Sequence, residues 1–203
     1  MREEDRPVPA DWNHNIHYHG VILSSVPPNC QSVLDVGCGQ GLLARQLARH
    51  SRRVTAIDID RETLLRGRTA GDAEGRIAFV QGDVMTHPFP DNSFDMISVV
   101  ATLHHLPLTA ALGRLRNLLR SGGVLAVIGL YRLNTAWDFA YAAAGKPASW
   151  VLRRFRSCTP VTAPLQEPRE TLGEIRASCD ALLPGNRLRQ HLLFRYSMVW
   201  RKP

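Results

Sequence analysis

Asp35, Gly37, Gly39 and Gly41 are the residues whose types and spacing point most directly to chemistry. They stand in Asp35–Val36–Gly37–Cys38–Gly39–Gln40–Gly41, an acid followed by glycines at three alternate positions. The apolar run 33–36 reads as a short buried strand, and residues 42–48 have helical spacing. A strand that passes through glycines into a helix makes a ligand cradle. Glycine accepts positive φ and lets backbone approach a ligand closely. The first turn of the helix adds unpaired N–H groups and the positive end of its dipole. Cys38 lies inside the turn as a small packing residue lining the same cradle.

The choice of ligand follows from what the turn lacks. A dinucleotide fingerprint, G-x-G-x-x-G, would place its third glycine at position 42, which is Leu42. Asp35 also puts negative charge where a pyrophosphate would sit. A ligand with an amino group and a single carboxylate suits the turn better. The heptapeptide resembles the first motif of the Rossmann-like (class I) S-adenosylmethionine-dependent methyltransferases, in particular their small-molecule branch. That resemblance runs over residues 30–130 and implies S-adenosyl-L-methionine as cofactor. It also implies a seven-stranded, mostly parallel α/β sheet in the order 3-2-1-4-5-7-6, with the last strand antiparallel and helices on both faces.

Downstream features keep the order of that family. Arg53 to Asp60 reads as a second strand ending in acids, with Asp58 placed 21 positions after Gly37. A carboxylate there can accept both ribose hydroxyls, whereas Asp60 suits a helix cap before Arg61–Leu65. Ile59 would lie against the adenine. Ile77 to Val84 is a third strand and its exit loop. The resemblance gives Asp83 the adenine amine and the Val84 N–H a ring nitrogen; the alternative for Asp83 is a strand-end turn. Phe94 to Ala101 is a central fourth strand whose last residue, Ala101, the resemblance assigns to the cofactor cleft. Residues 118–128 read as a helix end, a glycine stop and a fifth strand.

Methyl transfer from a sulfonium is an in-line displacement in which the cofactor supplies the electrophile. Alignment alone can be worth roughly 7–11 kcal/mol, and a general base typically adds about 10²–10⁴-fold. Histidine suits that role, its ordinary pKa lying near 6.5. His104 and His105 follow the fourth strand, with His104 as base and His105 in the acceptor pocket; alternatively both shape the loop. His19 is a second candidate base, on an N-terminal segment that folds over the cofactor in related enzymes. Tyr18 would face the sulfonium or pack as part of a helix. Trp137 and Tyr141, with Phe139, Trp150 and Phe155, line an aromatic acceptor pocket or belong to the core.

These residues must be positioned by a single domain, 1–203. It divides into a charged tail over 1–11, a helical cap over 12–29 (helix 12–26), a cofactor core over 30–130, a covering insertion over 131–167, and a final helix and hairpin over 168–203. Helices are expected over 135–142, 150–156 and 170–183, and the closing strands over 188–194 and 196–201. Composition agrees: 203 residues, 44% hydrophobic and 21% charged, suit a domain with a sizeable core. No apolar run reaches the length of a membrane span. The four cysteines show no paired spacing, against a disulfide framework or a zinc site. With no apolar leader, a cytoplasmic protein is expected.

The net charge of +7 falls entirely in residues 131–203. It motivates a nucleic-acid methyltransferase as the second reading. Against that, the chain lacks Asn/Asp-Pro-Pro-aromatic after the fourth strand, where Ala101–Thr102–Leu103–His104 stands, and it has no Pro-Cys nucleophile. A non-catalytic cofactor-binding regulator is a third reading, and a nicotinamide dehydrogenase, disfavoured by Asp35 and Leu42, a fourth. The expected partner is a small-molecule acceptor methylated at O, N or C.

Overall fold

A computed structural model describes residues 16–71, 75–135, 167–191 and 195–203. Strands β1 (Ser32–Val36), β2 (Arg53–Asp58), β3 (Ile77–Gln81), β4 (Phe94–Val100), β5 (Leu119–Leu130), β6 (Arg187–His191) and β7 (Arg195–Arg201) form one sheet. Its order is β3-β2-β1-β4-β5-β7-β6. The pairs among β1 to β5 are parallel, and β7 runs antiparallel to both β5 and β6. This is the expected architecture. A short apolar strand followed by a helix can return to the sheet only by a crossover, so repeated strand–helix units build a parallel core.

The described helices are α1 (His19–Leu23), α2 (Leu42–Leu47), α3 (Arg61–Thr69), α4 (Leu108–Leu118) and α5 (Leu172–Leu182). They clothe both faces of the sheet. On one, Ile22, Leu43, Ala44 and Leu47 pack over Val33, Ala56, Met96 and Ala126. On the other, Leu112, Leu115, Leu118, Ile175 and Cys179 pack over Leu34, Ile97, Leu125 and Met198. The alternation Val33/Leu34 and Met96/Ile97 divides adjacent residues between the two cores, as the pleat requires. Side-chain caps start two of the helices: Asp60 as expected, and Thr171 with its helix starting two residues inside the expected 170–183. Asp60 accepts from the Glu62 N–H at 3.0 Å and the Thr63 hydroxyl at 2.6 Å, capping α3. Thr171 and Glu174 form a reciprocal capping box at α5.

Three expectations need correction. The helix expected over 12–26 is a 3-10 turn, Ile16–Tyr18, running into α1 and ending at Leu23. The hydroxyls of Ser24 and Ser25 both donate to the Val21 carbonyl and compete with the helical ladder. The glycines at 122 and 123 do not separate helix from strand. β5 starts directly after α4, and the glycines form an excursion within it, because Phe94 pairs with Leu119 but Met96 with Val124. The closing strands begin one residue earlier than expected. The tail 1–11, residues 12–15 of the expected helix, residues 136–166 of the insertion, and the helices expected there lie outside the described residues, as do 192–194.

Some of the basic surplus is structural. The Lys202 ammonium donates to the Arg116 carbonyl at 3.0 Å, the Leu119 carbonyl at 2.7 Å and Asn92 Oδ1 at 2.9 Å, closing the C-terminal end of α4. Charged hydrogen bonds of this kind are worth about 1.5–3 kcal/mol, and a cation belongs at a helix C-terminus. Lys202→Ala is therefore expected to lower stability by about 2 kcal/mol in urea titration, with an unchanged slope. Arg201 likewise donates to the Gly122 carbonyl at 3.1 Å.

Candidate functional site

The carboxyl edge of the parallel strands gathers the glycine turn, Asp58, Asp83, Ala101 and the two histidines after β4. Gly37, Gly39 and Gly41 all adopt positive φ, at 67°, 53° and 75°. At two of them a side chain would also have nowhere to go. A Cβ on Gly37 would run into the Thr102 side chain, and one on Gly41 would come within 2.6 Å of the Phe79 ring. The Gly37 N–H donates to the Ile57 carbonyl at 2.9 Å, drawing the turn over the end of β2. There the Asp58 carboxylate accepts from the Gly39 N–H at 2.8 Å and the Asp60 N–H at 3.0 Å. Asp58 thus braces the glycine turn while standing at the strand end where a ribose carboxylate is expected. Ile59 follows it, 73% exposed, a large apolar side chain offering its face outward beside the cradle.

Asp35 is 2% exposed. Parallel pairing sets it opposite Ser98 on β4, on the same face of the sheet, and the Ser98 hydroxyl donates to its Oδ1 at 2.7 Å. Its Oδ2 is buried without a hydrogen-bond partner. Burial raises the carboxyl to about 7 against the help of Ser98, and the Asp58 charge adds to the rise. An oxygen in that position calls for a donor, best a cationic one. Burial also holds the Cys38 thiol far above its ordinary value, so Cys38 stays a neutral wall of the cradle.

Asp83 follows β3, exposed, with its carboxylate accepting from the Met85 N–H at 2.9 Å, while Val84 is buried behind it. The turn that encloses them is pinned from below. Arg114 on α4 donates to the His87 carbonyl at 2.9 Å and the Phe89 carbonyl at 3.1 Å, and pairs with Asp91 at 3.2 Å. After β4 the backbone turns sharply. Ala101 takes φ 50°, its N–H donating to the Ile128 carbonyl at 2.8 Å. A non-glycine in that region is held there by its surroundings, a feature that clusters at functional sites.

The 3-10 turn Leu103–His105 then presents the two histidines, their rings 4.0 Å apart. His104 Nδ1 is buried without a hydrogen-bond partner. Burial, with His105 and Arg195 adding positive charge, lowers His104 to about 4, so it is neutral near pH 7. His19 is placed differently: it is buried, and its Nδ1 meets Gln46 Oε1 on α2 at 2.9 Å. That bond ties His19 to α2 through Nδ1. Tyr18 is buried, with its ring 4.8 Å from His17 and 5.1 Å from His191. Trp137 and Tyr141 lie outside the described residues.

Several members of the site carry no strong sequence signal. Ser98 is hidden in an apolar strand, where a lone serine among Met96, Ile97, Val99 and Val100 is the only sign. Thr102, Phe79 and Gly67 fit against the glycine turn; a Cβ on Gly67 would come within 2.9 Å of the Gln40 carbonyl oxygen. Arg195 and His191 arrive from the closing hairpin. Among the described residues no group of three His, Cys, Asp or Glu could hold a metal ion, and no helix is long and apolar enough to cross a membrane.

Comparison with known proteins adds a second line of observation. Residues 34–127 match a family model described as a methyltransferase domain. An uncharacterized methyltransferase of Mycobacterium tuberculosis is 40% identical over 196 residues, spanning 95% of this chain and 98% of that protein. The fold is similar to that of the [4+2]-cyclase SpnF, with a TM-score of 0.67 at 17% identity over 98% of this chain and 86% of that one. It is also similar to a Haemonchus contortus phosphoethanolamine N-methyltransferase bound to phosphomonomethylethanolamine and S-adenosylhomocysteine. There the TM-score is 0.62 at 19% identity, over 89% of this chain and 39% of that one.

Proposed function

The chain belongs to the Rossmann-like S-adenosylmethionine-dependent methyltransferase family, and on that footing we propose that it transfers a methyl group from S-adenosyl-L-methionine to O, N or C of a small-molecule acceptor. The observation that carries the cofactor is the buried, partnerless Oδ2 of Asp35 beside a turn of three positive-φ glycines. A dinucleotide would bring phosphate charge against that carboxylate. An aminoacyl ligand would bring an ammonium, and so fits. Asp35 would hold the ammonium, Gly37 to Gly41 the methionyl backbone, Asp58 the ribose, Ile59 the adenine face, Asp83 its amine and the Val84 N–H a ring nitrogen. Ala101 and Cys38 would close the cleft. The bound cofactor supplies an activated methyl on sulfur.

The chain's own residues then align and deprotonate the acceptor. His104 is the base: its buried nitrogen is neutral and has a lone pair or proton to place. At about 4 it is weak for that task, since a base works best with a pKa near the working pH. An acceptor that brings negative charge would raise it towards neutrality. His105 and Tyr18 belong to the walls of the acceptor side. His104→Ala is expected to slow turnover by about 10²-fold or more and leave S-adenosylhomocysteine affinity within twofold. Unchanged turnover would make His104 a shaper of the loop.

The test of the cofactor is calorimetric titration with S-adenosylmethionine, S-adenosylhomocysteine and NAD. Micromolar binding of the adenosyl compounds and none of NAD is expected, with Asp58→Ala losing the adenosyl binding. Binding of NAD instead would sink the reading. The nucleic-acid alternative is weakened by Lys202 and Arg201, whose charges are engaged by backbone carbonyls.

A further inference from the structure

Among the described residues, basic side chains gather on the acceptor side of the cleft. Arg195 opens β7 and, in an antiparallel strand, that puts it at the carboxyl edge, opposite Leu130 of β5 and His191 of β6. The Tyr18 ring packs on the His191 ring at 5.1 Å. His191 is steadied by Ser197 Oγ, 2.6 Å from its Nε2. His104 enters from the end of β4, whose next neighbour in the sheet is β5. Tyr18, His104 and the hairpin pair His191 and Arg195 thus come from three separated segments to one corner of the sheet.

The charge of Arg195 acts on both Tyr18 and His104. The charged groups that act on His104 are His105 and Arg195, and those on His191 are Arg189 and His17, every one basic. Partial burial pulls the Arg195 guanidinium down to about 10, so it keeps its charge at neutral pH. A low-dielectric recess lined by one sign of charge concentrates the opposite ion. A guanidinium has five donors in a planar fork that matches the two oxygens of a carboxylate or phosphate. The surrounding rings supply flat apolar walls.

We propose that the acceptor carries an oxyanion, a carboxylate or phosphate, and that Arg195 is the specificity residue that receives it beside Tyr18, His104 and His191. In calling the bound molecule the acceptor we rely on the methyltransferase reading above. The anion also supports that reading, because negative charge next to His104 offsets the repulsion from His105 and Arg195 and raises its basicity against the burial that chiefly lowers it.

The decisive experiment holds the full chain saturated with S-adenosylhomocysteine and titrates it calorimetrically with benzoate, phenyl phosphate and the neutral isostere benzamide. At least one acid is expected to bind tenfold or more tightly than benzamide. Arg195→Gln should remove that preference and Arg195→Lys weaken it severalfold. Arg187→Gln, at the far end of β6, should leave it intact, with S-adenosylhomocysteine affinity the same throughout. Benzoate ahead of phenyl phosphate assigns a carboxylate; the reverse order assigns a phosphate. Equal binding of acid and amide, no binding of any of the three, or an acid preference that survives Arg195→Gln overturns the proposal. If circular dichroism shows Arg195→Gln unfolded, Arg195→Lys decides: acid binding identical to wild type overturns it. Failure of S-adenosylhomocysteine to bind wild type would instead strike the methyltransferase reading. An Arg195-dependent acid preference in the unliganded protein would then still establish the anion site.

Discussion

Asp35→Asn is expected to cost at least 100-fold in S-adenosylhomocysteine affinity while stabilising the unliganded protein at pH 8. The two effects share one cause. The Asp35 carboxyl is buried with one oxygen bonded to Ser98 and the other without a partner, and its pKa rises from 3.8 to about 7. A folded-state pKa above the unfolded one means that the folded chain holds the proton more tightly. Stability is then fullest below about 4 and falls as pH rises, until the group is fully ionised above about 7. By linkage the loss is on the order of a few kcal/mol. Asparagine keeps an acceptor for Ser98 and carries no charge, so it escapes that loss at pH 8, and the gain fades towards pH 5.

Cofactor binding reverses the balance, because the ammonium pairs with the ionised carboxylate. Breaking a buried pair by removing one member costs about 3–5 kcal/mol, or more than 100-fold at 1.4 kcal/mol per decade. In the wild type, binding between pH 5 and 7 should release up to one proton and strengthen as pH rises, then level off. Scanning calorimetry at pH 5 and 8, with titrations in buffers of different ionisation enthalpy, measures each part. Unaltered affinity in Asp35→Asn, or a loss of stability at pH 8, would remove Asp35 from the ammonium site.

Gly37→Ala carries the second large effect, this time on the scaffold and the site together. An alanine at φ 67° costs roughly 1–2 kcal/mol for the left-handed conformation. Its Cβ would also collide with the Thr102 side chain, and overpacking of this kind costs about 1–3 kcal/mol. The sum, about 2–5 kcal/mol, corresponds to a melting point lower by roughly 5–20 °C for a chain of this size. The turn must shift to relieve the clash, so adenosyl binding should vanish even well below the new midpoint. Gly20→Ala is the control: Gly20 is exposed on α1, and a Cβ there would meet nothing within 4 Å. Alanine at that position should stabilise by up to about 1 kcal/mol. Binding retained in Gly37→Ala at 20 °C would show that the turn yields more easily than its contacts imply.

The amino-acid sequence by itself determined the strand–turn–helix units and hence the parallel core. Those signals are local: alternation, helical spacing, glycines and caps such as Asp60 are read over fewer than ten residues. The turn at Gly37–Gly41 and the acids at strand ends were legible for the same reason, since crossover length alone delivers them to one edge. What only the tertiary structure decided is which distant side chains meet. Ser98 reaches Asp35 through the register of β1 against β4, and a slip of one residue would have turned it to the other face. Thr102 explains why position 37 admits no side chain, although 65 residues separate them. His19 meets Gln46 of α2 through its Nδ1, a contact between residues far apart in sequence. Arg195 and His191 gave no local sign, because an arginine in a basic hairpin looks like any solvated surface charge. The antiparallel return of β7 carries Arg195 to the carboxyl edge, half-buried, where its charge acts on Tyr18 and His104, and in this chain position and neighbours, not residue type, set a common cation apart.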